Sequence, residues 1–159
     1  MAVLSIEGNG LLEKTAVYYN GSQISGIKEI FVNLDEDGTF DALIQYEGTD
    51  KELYTKQVFE DYLNNIKIVS PSFTEEESKM MQLFTIDSDG SISGTTLFLN
   101  EEQLEGVVRA LIHIKATKNE SNFLSFLKKK DIVDSETIFK ASLTFRYSED
   151  VVETEDIFL

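Results

Sequence analysis

Two aspartate-rich stretches contain the residue types best suited to chemistry in this chain. The first is Asp35-Glu36-Asp37-Gly38, and the second is Asp87-Ser88-Asp89-Gly90. Their oxygens fall at several offsets of a calcium-binding loop, which makes a calcium-binding module one hypothesis. Such a loop normally ends in a bidentate glutamate, but that offset holds Ile44 in one copy and Thr96 in the other. We therefore predict no metal site and keep calcium binding as an alternative.

The same tetrads are typical of tight turns between antiparallel strands. Asp-Gly is favoured at such turns because glycine reaches positive φ freely and aspartate tolerates it. Stretches rich in β-forming residues stand before and after each tetrad, and a segment with helical spacing follows. We interpret residues 27–66 and 80–116 as two strand–turn–strand–helix units. They would form an internal ββα duplication within a single domain, 1–159.

Helices are predicted where a capping pattern precedes apolar residues at helical spacing. Helix starts are predicted at Thr49–Glu52, Thr74–Glu77 and Asn100–Gln103, and a further helix is predicted over 121–130. The apolar stripes are Tyr54, Val58, Tyr62 and Ile66, and then Leu104, Val107, Val108, Leu111 and Ile114. With alternating strands such as 137–147, the sequence predicts an α+β fold, an antiparallel sheet with two to four helices packed on one face.

The charge of the chain narrows the classes of partner. It has 29 acidic and 14 basic side chains and a formal net charge of −15. Binding to nucleic acid or to an anionic membrane depends on lysine and arginine, so we expect neither as a direct partner. A basic protein surface is the partner that this charge favours. No apolar run approaches the ~20 residues that span a bilayer, and the first residues lack a signal-peptide pattern, so we expect a cytoplasmic protein.

Catalytic chemistry has little support in the sequence. His113 is the only histidine, and no nucleophile, zinc-protease or phosphate-loop motif occurs. Cysteine is absent, which excludes disulfides and thiolate chemistry. We predict no enzyme activity, no catalytic residues and no cofactor.

The function predicted from these observations is non-catalytic protein binding. The chain would occupy a basic surface of a partner, such as a nucleic-acid-binding surface, by presenting carboxylates where phosphates would sit. The predicted contact residues are Asp35, Glu36, Asp37, Asp87, Asp89, Glu101, Glu102 and Glu105. An alternative is a self-assembling structural subunit of a phage-like particle, in which case the protein is a homo-oligomer. Residues 148–159 form an acidic segment with an apolar end, interpreted as a frayed tail or as a segment that docks on a partner.

Overall fold

The computed structural model describes residues 2–116 and 137–158, and in these ranges the protein is nearly all β. The strands are β1 (Ala2–Gly8), β2 (Thr15–Tyr19), β3 (Ser22–Ser25), β4 (Ile27–Asp35), β5 (Phe40–Glu47), β6 (Leu53–Gln57), β7 (Lys67–Ile68), β8 (Gln82–Ser88), β9 (Thr95–Leu99), β10 (Glu102–Gln103), β11 (Val107–Lys115), β12 (Ile138–Ser148) and β13 (Val151–Asp156). One short α-helix, α1 (Glu75–Lys79), and a 3-10 turn, Leu12–Lys14, complete the described elements.

The strands form two antiparallel sheets that pack face to face. The seven-stranded sheet has the order β10-β9-β8-β1-β2-β3-β7, and the six-stranded sheet has the order β13-β12-β11-β4-β5-β6. Buried residues alternate with exposed or half-buried residues along the central strands, so each sheet turns one apolar face inward. These inward residues form one core cluster, whose fully buried members include Leu4, Phe84, Ile44 and Leu143.

The predicted α+β class is wrong, because two of the predicted helices are strands and turns. The segment with the clearest helical stripe is β11, in which Ala110, Ile112 and Ile114 are buried and alternate with half-buried Leu111 and His113. β11 lies between β4 and β12 in the middle of its sheet. A central strand has apolar residues on both faces, so a stripe at helical spacing arises without a helix. Its β-branched residues favour the strand.

The segment after Thr49 also forms a strand where a helix was predicted. Its capping signature folds as a turn, in which the Asp50 carboxylate accepts hydrogen bonds from the Glu52 amide (3.1 Å) and the Tyr54 hydroxyl (2.5 Å). Asx turns and helix caps use the same local hydrogen bond, so the signature does not distinguish them. After this turn β6 pairs with β5, and Tyr46 and Tyr54 stack with their centroids 5.3 Å apart.

The predicted short helix after Thr74 is confirmed, and it is α1. Thr74 and Glu77 form the expected capping box, with the Glu77 amide 3.1 Å from the Thr74 hydroxyl. None of its residues is buried, so it does not pack on a sheet. The helix predicted over 121–130 lies outside the described residues. No helix in the described ranges is long and apolar enough to cross a membrane.

Both aspartate-rich stretches are turns between paired strands, as predicted. The first joins β4 to β5, whose last pair is Leu34 with Phe40, and the second joins β8 to β9, whose last pair is Ser88 with Thr95. The loops are longer than the two-residue turn that Asp-Gly suggested. Only the glycine of each tetrad has positive φ, 104° at Gly38 and 100° at Gly90.

The C-terminal segment is an ordered part of the sandwich. β13 pairs with β12, and the two residues after it turn into the core, where Ile157 and Phe158 are buried. The Ile157 amide donates to the Ala141 carbonyl at 3.0 Å, and the Phe158 ring meets Phe139 edge-on at 6.0 Å. The interpretation as a frayed tail is therefore wrong, and the apolar end docks within the chain; the interpretation of residues 148–159 as a partner-docking segment stays a prediction.

The two halves of the chain repeat the same strands with a constant shift. β8, β9 and β11 begin and end 80 residues after β1, β2 and β4, as in the shift from Ala2 to Gln82. Each half also has a turn asparagine tied to its own first strand. The Val3 amide donates to Asn20 Oδ1 at 2.8 Å, and the Leu83 amide donates to Asn100 Oδ1 at 2.9 Å. The halves therefore share backbone geometry as well as strand order.

A pseudo-two-fold axis relates these halves through the middle of both sheets. In the seven-stranded sheet, β1 and β8 pair so that Ser5 faces its own equivalent, Thr85, with the hydroxyls 2.9 Å apart. In the six-stranded sheet, β4 and β11 pair so that Val32 faces its equivalent, Ile112. Equivalent residues face each other in this way at a two-fold axis.

The repeat continues into the outer strands with a shift of 99 residues, from Phe40 to Phe139. The Phe40 and Phe59 rings lie 5.9 Å apart, as Phe139 and Phe158 lie 6.0 Å apart. The larger shift reflects the longer connection between β11 and β12. β12 is thus the equivalent of β5, and β13 is the equivalent of β6. This repeat differs from the ββα units predicted at 27–66 and 80–116, whose helices are not formed.

Candidate partner-binding surface

The first aspartate turn presents three carboxylates at one end of the sandwich. Two of them meet arginines: Glu36 Oε1 is 2.5 Å from Arg146 Nη2, and Asp35 Oδ2 is 3.9 Å from Arg109 Nε. Asp37 instead accepts the Thr39 amide at 2.9 Å, and this hydrogen bond holds the pKa of Asp37 below its usual value. The predicted residues of this turn are therefore close together, with part of their charge balanced locally.

The second aspartate turn lies at the same end, on the other sheet. A cavity of about 220 Å³ is lined by Leu34 beside the first turn and by Ile92 within the second. Asp89 accepts hydrogen bonds from the Ser91 hydroxyl (2.7 Å) and, with a smaller effect, from the Ser91 amide (2.9 Å), and both hold the pKa of Asp89 below its usual value. Asp87 is half-buried on β8, with Oδ1 buried and without a hydrogen-bond partner among the described residues.

The remaining predicted residues divide between the two ends. Glu105 precedes Gly106, whose carbonyl accepts the Arg146 amide at 2.8 Å. Because the Arg146 side chain contacts Glu36, Glu105 lies near the first turn. Glu101 and Glu102 lie at the opposite end of β9, where residue 100 bonds Leu83 at the start of β8. The structure therefore groups Asp35, Glu36, Asp37 and Glu105, places Asp87 and Asp89 on the adjoining sheet, and separates Glu101 and Glu102 from them.

The C-terminal segment, which was predicted only as a whole to dock on a partner, supplies further carboxylates. They are Glu149, Asp150, Glu153, Glu155 and Asp156, with no basic residue between them. All six residues of β13 are exposed. The signal for this surface in the sequence is a run of acidic residues without a basic one. That pattern does not distinguish a regular strand from a tail or a docking segment.

The first turn and the turn that leads into β13 meet at Arg146, and together with β13 they carry a group of carboxylates at this edge of the six-stranded sheet. Arg146 joins them, because its guanidinium contacts Glu36 at 2.5 Å and the Glu149 carbonyl at 3.5 Å. We call this group the acidic band, and it consists of Asp35, Glu36, Asp37, Glu105, Glu149, Asp150, Glu153, Glu155 and Asp156. Among the described residues, the only ion pairs with the band are those of Arg109 and Arg146. Both are at one end, and the carboxylates of β13 have no such pair.

The equivalent strand in the other half has a different chemistry. β13 has Glu153 and Glu155 at the positions where β6 has Tyr54 and Lys56. The strand pairing shows this, because Glu155 pairs with Leu143 and Lys56 pairs with Ile44, which is the equivalent of Leu143 in the repeat. The Lys56 ammonium is satisfied inside the chain, 2.8 Å from Asn64 Oδ1 and over the Tyr54 ring. The negative charge is therefore a property of the β13 edge and not of the repeat.

The lone histidine lies away from the acidic band, on the outer face of the six-stranded sheet. His113 is on a strand, not on the predicted helix, and its Nε2 is 2.6 Å from Glu29 Oε2. Phe31 packs edge-on against the imidazole with the ring centroids 5.4 Å apart. A groove of about 230 Å³, also lined by Leu43, runs over this pair. These contacts orient the ring within the sheet surface.

The arrangement of potential metal ligands bears on the calcium hypothesis. Within residues 2–116 and 137–158, no group of three or more histidine, aspartate or glutamate side chains is placed to hold a metal ion. Asp37 and Asp89 instead bind amides of their own loops. Calcium binding stays an alternative hypothesis, and the hydrogen bonds within the loops already account for the placement of these two aspartates.

Comparisons with protein-family models, with curated proteins and with solved structures find no match to this chain.

Proposed function

We propose that this protein is a non-catalytic acidic module that binds a basic surface of a partner protein in the cytoplasm. Such a surface includes one that otherwise contacts nucleic acid. The observation that supports this proposal is the acidic band, which has carboxylates on the first aspartate turn and along an exposed strand. Its β13 carboxylates are exposed and form no ion pair with a basic side chain among the described residues, which supports a role in binding a cationic partner.

The acidic band would act mainly through electrostatic complementarity. Opposite charge raises the rate of encounter and selects against partners with acidic surfaces. Because the β13 side chains are exposed, salt would screen this attraction over a Debye length of roughly 8 Å at physiological ionic strength. Binding should therefore weaken steeply as salt is raised.

Charge-removal variants test this proposal. The band variant combines Glu153→Gln, Glu155→Gln and Asp156→Asn. The control combines Glu13→Gln, Glu75→Gln and Glu76→Gln, which removes the same charge from exposed positions outside both the acidic band and the predicted contact residues. Titration calorimetry with an oligolysine peptide at several salt concentrations measures both. The band variant should bind more weakly and with a shallower salt dependence than the control. Equal weakening of the two variants would mean that net charge alone acts and would refute the band as the site.

A further inference from the structure

We propose that the outer edge of β13 binds an extended basic segment of the partner, which adds to the six-stranded sheet as a further strand. This inference rests on the proposed function and specifies how the partner is held. Strand addition to an exposed edge uses main-chain hydrogen bonds for affinity and alternate side chains for specificity. β13 is the last strand of its sheet, and no described strand pairs with its outer side.

The outward amides of β13 are available for a main-chain ladder. The Ile157 amide points toward β12, where it donates to Ala141. Amides alternate in direction along a strand, so those of Thr154 and Asp156 point away from β12. In the equivalent strand β6, the outward amide of Gln57, which corresponds to Asp156, is bonded to the Asp61 carboxylate at 2.7 Å. One edge of the sheet is capped within the chain, and its counterpart is open among the described residues.

Contacts within the chain hold β13 in its extended conformation. Beyond its last residue, the buried side chains of Ile157 and Phe158 anchor the chain in the core. On its outer face, the Thr154 hydroxyl lies 2.9 Å from the hydroxyl of Thr144 on β12. A strand fixed in its bound conformation loses little conformational entropy when a partner adds to it. The open edge is therefore a preorganised template.

The side chains of β13 identify the chemistry of the added strand. Glu153 and Glu155 stand opposite Phe145 and Leu143 and so point to the core side of the sheet, yet both are exposed beyond the sandwich. Charges that point inward at an edge discourage pairing with an apolar strand. An incoming strand with lysine or arginine at alternate positions would place its cations beside these two carboxylates, because opposite charges on neighbouring strands attract.

A second copy of this chain fits the β13 edge poorly. Pairing of β13 with β13 would bring the carboxylates of Glu153, Glu155 and Asp156 close to those of the other copy, and like charges across strands are destabilising. Pairing with β6 of another copy would meet the Gln57 amide, which Asp61 already occupies. The charge of the edge and the state of the opposite edge both favour a basic partner segment.

Two proline variants separate strand addition from simple charge attraction. Thr154→Pro removes an outward amide of β13 and keeps every carboxylate, and edge strands tolerate proline where the amide faces solvent. Thr154→Ala keeps that amide but removes the hydroxyl that contacts Thr144, and so controls for the loss of that contact. Thr55→Pro is the matched control, because Thr55 is the equivalent residue of β6. The probe is a short peptide that alternates lysine with threonine. We expect Thr154→Pro to weaken its binding about two- to tenfold, as the loss of one ladder hydrogen bond implies, and Thr154→Ala and Thr55→Pro to leave it unchanged.

A second measurement uses the unaltered protein and so does not depend on how the variants fold. The same peptide, methylated on alternate backbone nitrogens, should lose binding, and the unmethylated peptide should slow exchange of the Thr154 and Asp156 amides. If the methylated peptide or Thr154→Pro binds as well as the parent, strand addition is wrong while charge-driven binding stands. If no basic peptide binds in a salt-dependent way, the proposed function fails as well. Self-association abolished by both proline variants would assign the edge to a second copy and overturn the inference.

Discussion

Replacing Phe158 with alanine measures how firmly the C-terminal residues belong to the core. Phe158 is fully buried, its ring meets Phe139 edge-on, and its amide donates to the Gln82 side chain. Truncation of a buried phenylalanine to alanine costs about 3–5 kcal/mol of the free energy of unfolding. For a protein of this size that loss lowers Tm by about 6–20 °C, at roughly 2–4 °C for each kcal/mol.

Urea unfolding followed by circular dichroism gives this free energy directly. We expect Phe158→Ala to lower the midpoint with an unchanged m value, since the folded state keeps its compactness. Met80→Ala is the control, because Met80 is 82% exposed, and it should change stability by less than about 0.5 kcal/mol. A loss below about 1 kcal/mol for Phe158→Ala would refute the docking of the C-terminal residues, and with it the rigid β13 edge.

Two further predictions concern a buried phenol and the glycine turns. Burial raises the pKa of Tyr46 to about 12, so the folded state keeps the proton and stability should fall as pH rises from about 10 to 12. Tyr46→Phe should flatten that fall in urea midpoints measured across this range, and an unchanged slope would contradict it. Gly21→Ala and Gly26→Ala both place alanine at positive φ, which costs about 1–2 kcal/mol. Only at Gly26 would the new Cβ meet a carbonyl, that of Glu47 at 2.6 Å, so Gly26→Ala should destabilise by about 1–3 kcal/mol more, and equal urea midpoints would contradict the close contact.

The turns and many of the strands could be predicted from sequence because their signals are local. Asn20-Gly21 forms the expected hairpin, and its two residues have φ of 51° and 88°. The Thr74 capping box also forms as expected. In each case a side chain and its backbone partner are a few residues apart, so neighbouring residues alone determine the outcome.

The errors arose where tertiary position decides the structure. Leu111 and Ile112 face opposite sides of a central strand, and only the sheet order explains why both are shielded. Asn100 and Glu101 were predicted to begin a helix, but they have φ of 55° and 70° and form the turn between β9 and β10. A capping asparagine and a turn asparagine are alike in sequence. The difference is the neighbouring strand β8, whose Leu83 amide donates to Asn100 Oδ1.

The candidate surface was predictable in kind but not in place. The excess of acids indicated a cationic partner, and the first turn does present Asp35, Glu36 and Asp37. The sequence did not reveal that β13 lies beside this turn, because that depends on the pairing of β13 with β12 and on the contacts of Arg146. Val58 and Ile157 are equivalent residues of the repeat, and their amides donate to the carbonyls of Ala42 and Ala141 at 2.9 Å and 3.0 Å. This equivalence is visible only once the strand pairing is known.

The pseudo-two-fold axis has a consequence for how the protein depends on its own concentration. If the first half of this chain were a separate protein, β1 and β4 would each lack a neighbouring strand, because β8 and β11 of the second half pair with them. Such a half would need a twin to bury its core, and dilution would separate the pair. Tethering makes the encounter intramolecular, so the two halves stay together however scarce the molecule is. Tethering also allows the sequence of one half to change while the other half stays the same. This is impossible when both halves are copies of one chain.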